Sequence, residues 1–93
     1  MPIFQSSSFK KTIKKLHPNA KQDLDKAVNE LIQNPLAGEL KKGDLNGVRV
    51  YKFRMINQLT LLAYIFDEAN ESLTLLALGS HENFYRDLKG VLQ

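Results

Sequence analysis

Two apolar stripes at helical spacing open the chain, and three strand-length apolar runs follow. Phe9, Ile13 and Leu16 recur at i, i+4 and i+7, which predicts one buried face of a helix. Ser6-Ser7-Ser8 just before them offers an N-cap. Leu24, Val28, Leu31 and Ile32, widened by Ala27, predict a second helix over 20–33. Asn19 is its expected cap, with Gln22 three residues on as the capping-box partner. His17-Pro18-Asn19 separates the helices, so His17 reads as a linker residue. Asn34-Pro35 ends the second helix. A connection this short predicts an antiparallel helical hairpin.

The period then changes to two. Residues 36–47 carry Gly38, Gly43 and Gly47 with Lys41, Lys42 and Asp44, which reads as a loop. From Val48 to Met55 the chain alternates, with Val48, Val50, Lys52 and Arg54 on one face and Arg49, Tyr51, Phe53 and Met55 on the other. Leu59 to Phe66 is apolar on both faces, as expected of a central strand. Ile56-Asn57-Gln58 and residues 67–71 are the turns, and Ser72 to Leu78 returns the chain. Ile3-Phe4-Gln5 adds a short first strand. The expected order is β-α-α-β-β-β-α, an α+β fold in one domain over 1–93. The late strands form an antiparallel meander, the helical hairpin covers one face of it, and a C-terminal helix follows. Tyr51, Phe53 and Met55 are expected to face the hairpin, which leaves Lys52 and Arg54 on the other, concave face.

Charge sharpens this picture. The net charge is +3 and the pI about 9.3, which favours an anionic partner. Residues 1–21 hold Lys10, Lys11, Lys14, Lys15 and Lys21 and no acid; residues 45–66 hold Arg49, Lys52 and Arg54 and no acid. Two cations at i and i+2 on one strand face suit a phosphodiester, although a strand kept soluble by its charges has the same pattern. Cysteine is absent, which removes disulfides and thiolate chemistry and fits a cytoplasmic protein. The longest apolar run, Leu61 to Phe66, is too short to span a membrane, and no signal peptide is expected. With His17 and His81 the only histidines, no metal site or cofactor is expected. No DNA-reading motif appears, so sequence-specific DNA binding by this chain alone is not expected.

The chemistry gathers at Gly79-Ser80-His81-Glu82-Asn83-Phe84-Tyr85-Arg86. Gly79 is expected to turn the chain and Ser80 to cap the last helix through the backbone N–H of Asn83. His81 then falls in the first turn with Tyr85 on the same face. An ordinary capped helix with a surface histidine fits the same residues.

These features together resemble the RelE/ParE superfamily of bacterial type II toxins. The element order matches along the whole chain. Tyr51-Lys52-Phe53-Arg54 resembles the family's Tyr-basic-apolar-basic strand, and Tyr64 its core tyrosine. Leu78-Gly79-Ser80-His81-Glu82 resembles its strand-end Gly followed by a catalytic basic residue or histidine. Tyr85 lies two positions earlier than the C-terminal tyrosine of the RelE pattern. The RelE branch cleaves mRNA on the ribosome without a metal, by attack of the ribose 2′-hydroxyl on the adjacent phosphate. The resemblance therefore implies an endoribonuclease in which His81 transfers protons and Lys52 and Arg54 bind phosphate. It assigns base orientation or stacking to Tyr85, and implies RNA or phosphate contacts by Arg49 and Arg86, with Glu82 as a further candidate in the site. It also implies a cognate antitoxin, the ribosome and mRNA as partners. Leu61 stands where the RelE branch usually has an arginine. That departure implies two alternatives: a ParE-like toxin that inhibits a protein target such as DNA gyrase, or a member that only binds antitoxin.

Overall fold

The computed structural model describes residues 1–80, 84–86 and 88. A five-stranded sheet carries the fold, with β1 at Ile3–Gln5, β2 at Glu39–Leu40, β3 at Arg49–Met55, β4 at Gln58–Asp67 and β5 at Ser72–Ser80. Their order is β1-β5-β4-β3-β2. β2, β3, β4 and β5 pair antiparallel, as the meander predicts, while β1 lies parallel to β5 and makes the sheet mixed. β4 occupies the centre. Leu61, Leu62, Ala63 and Tyr64 are all fully buried there, which explains why this strand is apolar on both faces. The expected loop at 36–47 is more structured than its glycines suggested. It contains β2 and a short 3-10 turn at Gly43–Leu45 whose Leu45 is buried.

Helices α1 (Ser7–Lys14) and α2 (Pro18–Gln33) cover one sheet face. α1 packs chiefly on β5 and α2 on β3. Phe9, Leu24, Leu31, Leu62, Tyr64, Leu73 and Leu75 form the core between them, with Tyr51, Phe53 and Met55 at its edge as the alternation predicts. Ile32 is a correction. It is 36% exposed, because it sits 100° round the helix from Leu31 and the buried stripe stays narrow. His17 is another. It is the N-cap of α2, its Nδ1 accepting from the Asn19 N–H at 3.2 Å, and Pro18 opens the helix. Proline is suited to that place because the first turn has no use for its missing N–H.

Ser6 joins α1 to the sheet. Its hydroxyl oxygen accepts from the Phe9 N–H at 3.0 Å and donates to the Leu76 carbonyl at 2.6 Å. Leu76 is the extra residue of a β-bulge: Ala63 pairs with Ala77, and Tyr64 with Leu75. The bulge shifts the alternation by one. Leu73, Leu75 and Leu78 therefore all contribute to the helix side, while Leu76 and Ala77 belong to the other. That second side carries its own core of Leu45, Val48, Val50, Leu61, Ala63, Leu76, Ala77, Phe84 and Leu88.

Candidate phosphate-binding face

The face turned away from the helices holds the predicted cations. Lys52 and Arg54 are both exposed on β3, on the same side as buried Val50. Two residues apart on a strand, they stand roughly 7 Å from each other. Lys52 lies opposite Leu61 on β4, and Leu61 opposite Gly79 on β5. At about 4.8 Å per strand, Gly79 is roughly 10 Å from Lys52. Gly79 and Ser80 belong to β5 and pair with Leu61 and Thr60, so Gly79 is a strand residue here and not the expected turn. A Cβ on Gly79 would meet the Phe84 ring at an ordinary 3.8 Å. β5 thus ends at Ser80, level with Phe53 and one residue short of Arg54. The next residues, His81 and Glu82, lie outside the described residues, as does the Asn83 N–H expected to bond Ser80.

Leu61 is 0% exposed and clustered with Phe84 and Leu88. A hydrophobic patch therefore fills the sheet between Lys52 and Gly79, and the cations sit at its margin. The Arg54 guanidinium donates to the Asn57 carbonyl at 3.1 Å, which steers it toward the β3–β4 turn. That turn has Ile56 and Asn57 both at positive φ, 50° and 63°, the geometry of a two-residue hairpin. Asp23 of α2 accepts from the Ile56 N–H at 2.9 Å and so ties the turn to the helix layer.

Arg49 is not brought to this face. It lies on the helix side, where its guanidinium donates to the carbonyls of Gly38 at 2.9 Å and Leu36 at 3.4 Å. Its neighbour Tyr64 is buried, which pushes its hydroxyl pKa upward. Tyr85 is half-buried and meets Phe84 edge-on, with ring centroids 5.3 Å apart. The Lys41 ammonium lies 5.7 Å from the Tyr85 ring centroid, within cation–π range. Lys41 also bonds Glu39 at 3.2 Å. The Glu39 carboxylate first, then the Tyr85 hydroxyl, pushes the Lys41 pKa upward. Lys41 falls within the stretch 36–47 expected to be a loop, yet it stands beside the sheet edge. It bonds Val48 through its backbone N–H, roughly 13 Å along β3 from Lys52. The only signal for it is the alternation of Glu39, Leu40 and Lys41, too short to tell from a turn. Arg86 is helical and exposed.

Lys52 and Arg54 can supply two hydrogen-bonding positive charges to an anion lying across the sheet end. No group of three His, Cys, Asp or Glu capable of holding a metal ion occurs among the described residues, and no described helix is long and apolar enough to cross a membrane.

No curated protein matches the chain. Solved structures do. The intact E. coli RelBE toxin–antitoxin complex contains a chain with a TM-score of 0.72 and 17% identity, covering 87% of this chain and 96% of that one. A doubly substituted E. coli toxin RelE in the free state gives 0.74 and 16%, covering 96% and 90%. The same mutant bound to a peptide of its antitoxin gives 0.68 and 17%, covering 87% and 83%. At these identities the likeness establishes a shared fold. The family is established independently, since residues 3–89 match the model for the ParE-like toxin of type II bacterial toxin–antitoxin systems, and the chain belongs to that family.

Proposed function

We propose that the protein is a ribosome-dependent mRNA endonuclease of the RelE kind. The observation that carries this reading is the exposed Lys52–Arg54 pair on β3, level with the end of β5 across the intervening β4, where the chain is one peptide bond from His81. In the proposed reaction the ribose 2′-hydroxyl attacks the adjacent phosphorus. His81 takes the hydroxyl proton and returns one to the 5′-oxygen as the P–O5′ bond breaks, leaving a 2′,3′-cyclic phosphate and a 5′-hydroxyl. Lys52 and Arg54 neutralise the charge that builds on the phosphate oxygens, a fixed-charge effect that needs no metal. Histidine suits the transfer because its ordinary pKa is near 6.5. Tyr85 orients or stacks on a base, Arg86 contacts phosphate, and Glu82 is a secondary candidate beside His81. Arg49, engaged with the carbonyls of Leu36 and Gly38, has no part in this proposal. A cognate antitoxin is the proposed regulatory partner, supported by the family and by the solved RelBE and RelE–antitoxin complexes.

Burial of Leu61 favours a second reading. Between Lys52 and Gly79 the sheet holds a buried leucine where a third cation would help phosphate chemistry, and a toxin that binds a protein such as DNA gyrase needs no such cation. Single-turnover cleavage on programmed ribosomes separates the two. The nuclease reading expects His81→Ala to lose about 10²–10⁴-fold in rate and Lys52→Ala and Arg54→Ala to weaken cleavage, all with unchanged melting temperature. Growth arrest by a wild type that leaves mRNA intact would replace it with the inhibitor reading.

A further inference from the structure

A second basic surface lies on the opposite side of the sheet. Ser7, Lys10, Lys11 and Lys14 fall at i, i+3, i+4 and i+7 on α1, and all four are exposed, as is Lys15 at the C-cap. Phe9, on the other side of the helix, is 1% exposed. No acid occurs in the first 22 residues, and none of these lysines bonds an acid among the described residues. Lys21 on α2 shows the ordinary arrangement, paired with Asp25 at 2.5 Å. The helix dipole favours Lys11 and Lys14 in the last turn. It does not favour Lys10, and like charges three and four residues apart repel. Beside this face runs an open groove of about 460 Å³ lined by Ser8, Lys11, Thr12, Lys15 and Leu16. Its Thr12 hydroxyl is tied down locally, donating to the Ser8 carbonyl at 3.1 Å, while its two ammonium groups have no acidic partner among the described residues.

We propose that the outer face of α1 is a second RNA-binding surface that grips the phosphodiester backbone of a folded RNA. Lysines act as point charges on flexible stems and hold phosphates without reading bases. The apolar stripe of α1 is turned into the core, which leaves no face to enter a lipid surface. The choice of RNA over an acidic polypeptide rests on the RNA-cleaving reading of the other face. Because the two surfaces lie on opposite sides of the sheet, an RNA held by α1 leaves Lys52 and Arg54 accessible.

The test is the salt dependence of binding to a fluorescent, mixed-sequence RNA duplex, followed by anisotropy. Each lysine that neutralises a phosphate adds about 0.9 to the slope of log affinity against log salt. Replacing Lys10, Lys11, Lys14 and Lys15 together by Gln should flatten the slope by about 3.6, while the four Lys→Arg changes preserve it. Lys52→Ala with Arg54→Ala should leave the α1 share of the slope in place. Circular dichroism checks that each variant is folded, and should the Gln variant not fold, single Lys→Gln changes should each lower the slope by just under one unit. An unchanged slope overturns the proposal. So does lost binding to phosphatidylglycerol vesicles or polyglutamate with RNA binding intact, which assigns the face to a membrane or an acidic polypeptide. Ribosomal cleavage is scored separately: an α1-dependent slope without cleavage retains this surface and rejects the nuclease reading, and cleavage with an α1-independent slope does the reverse.

Discussion

Replacing Gly38 by Ala should destabilise the protein well beyond an ordinary loop substitution. The Gly38 N–H donates to the Tyr64 hydroxyl oxygen at 2.9 Å, and that hydroxyl donates to the Pro35 carbonyl at 2.6 Å. The Tyr64 ring is fully buried in the central strand. A Cβ on Gly38 would lie 2.7 Å from Cε1 and 2.8 Å from the hydroxyl oxygen of Tyr64, well inside contact distance. Either the ring moves within a packed core or the loop lifts and both hydrogen bonds lengthen. Overpacking costs roughly 1–3 kcal/mol, and weakening the two bonds adds about 1 kcal/mol. Lower chain entropy in the unfolded state returns about 0.4–1 kcal/mol. The net loss is about 2 kcal/mol, or roughly 8–16 °C in melting temperature for a domain of this size. Tyr64→Phe should cost a similar ~1–3 kcal/mol by leaving the Gly38 N–H and Pro35 carbonyl unpaired. The two changes share a hydrogen bond and so should be non-additive by about 1 kcal/mol. Urea denaturation of both single variants and the double variant measures this. A Gly38→Ala protein melting within about 2 °C of wild type would refute the reasoning, because the ring would then have room to yield.

Ser6→Ala removes an N-cap and strands the bulge carbonyl of Leu76, for an expected loss of about 2 kcal/mol in urea titrations; Ser6→Thr should restore most of it. Ile56→Asn should stabilise by about 1 kcal/mol, since Ile56 holds φ 50° with its side chain half exposed and asparagine tolerates that region; a lowered melting temperature would show that the isoleucine side chain contributes more than its backbone strain. The Tyr51 hydroxyl donates to the Glu30 carboxylate, and this bond, with a smaller effect of burial, pushes its pKa up to about 12. Its neutral form is thus favoured by folding, so the bond's stabilisation is complete below the ordinary tyrosine value near 10 and is lost as pH rises from there through about 12. Ultraviolet titration should show two late-ionising tyrosines, Tyr51 and Tyr64, of which Tyr51 shifts back toward 10 in Glu30→Gln.

Local pattern was enough to place both helices, the three long strands and the face each strand presents. Phe9, Leu24 and Leu31 had to be buried because their stripes have no other partner, and the alternation of β3 sets Lys52 and Arg54 against Tyr51 and Phe53 independently of any tertiary contact. Arg49 was likewise legible as a residue of the opposite face, though not the carbonyls that hold it. Other features depend on pairings between residues far apart in the chain. β1 lies beside β5 because Ser6 caps α1 while bonding the bulge seventy residues on, and three residues of strand pattern cannot name their neighbour. Gly79 suggested a turn on its own propensity, yet it lies in β5 because Leu61 pairs opposite it and extends the ladder. His17 became a cap, and not a linker, once Pro18 opened α2. Leu61 could be read from sequence as part of an apolar central strand and, against the family pattern, as a missing cation, but what covers it could not. Its burial with Phe84 and Leu88 was decided by tertiary packing, because a side chain's access to solvent depends on which distant segment comes to rest over it.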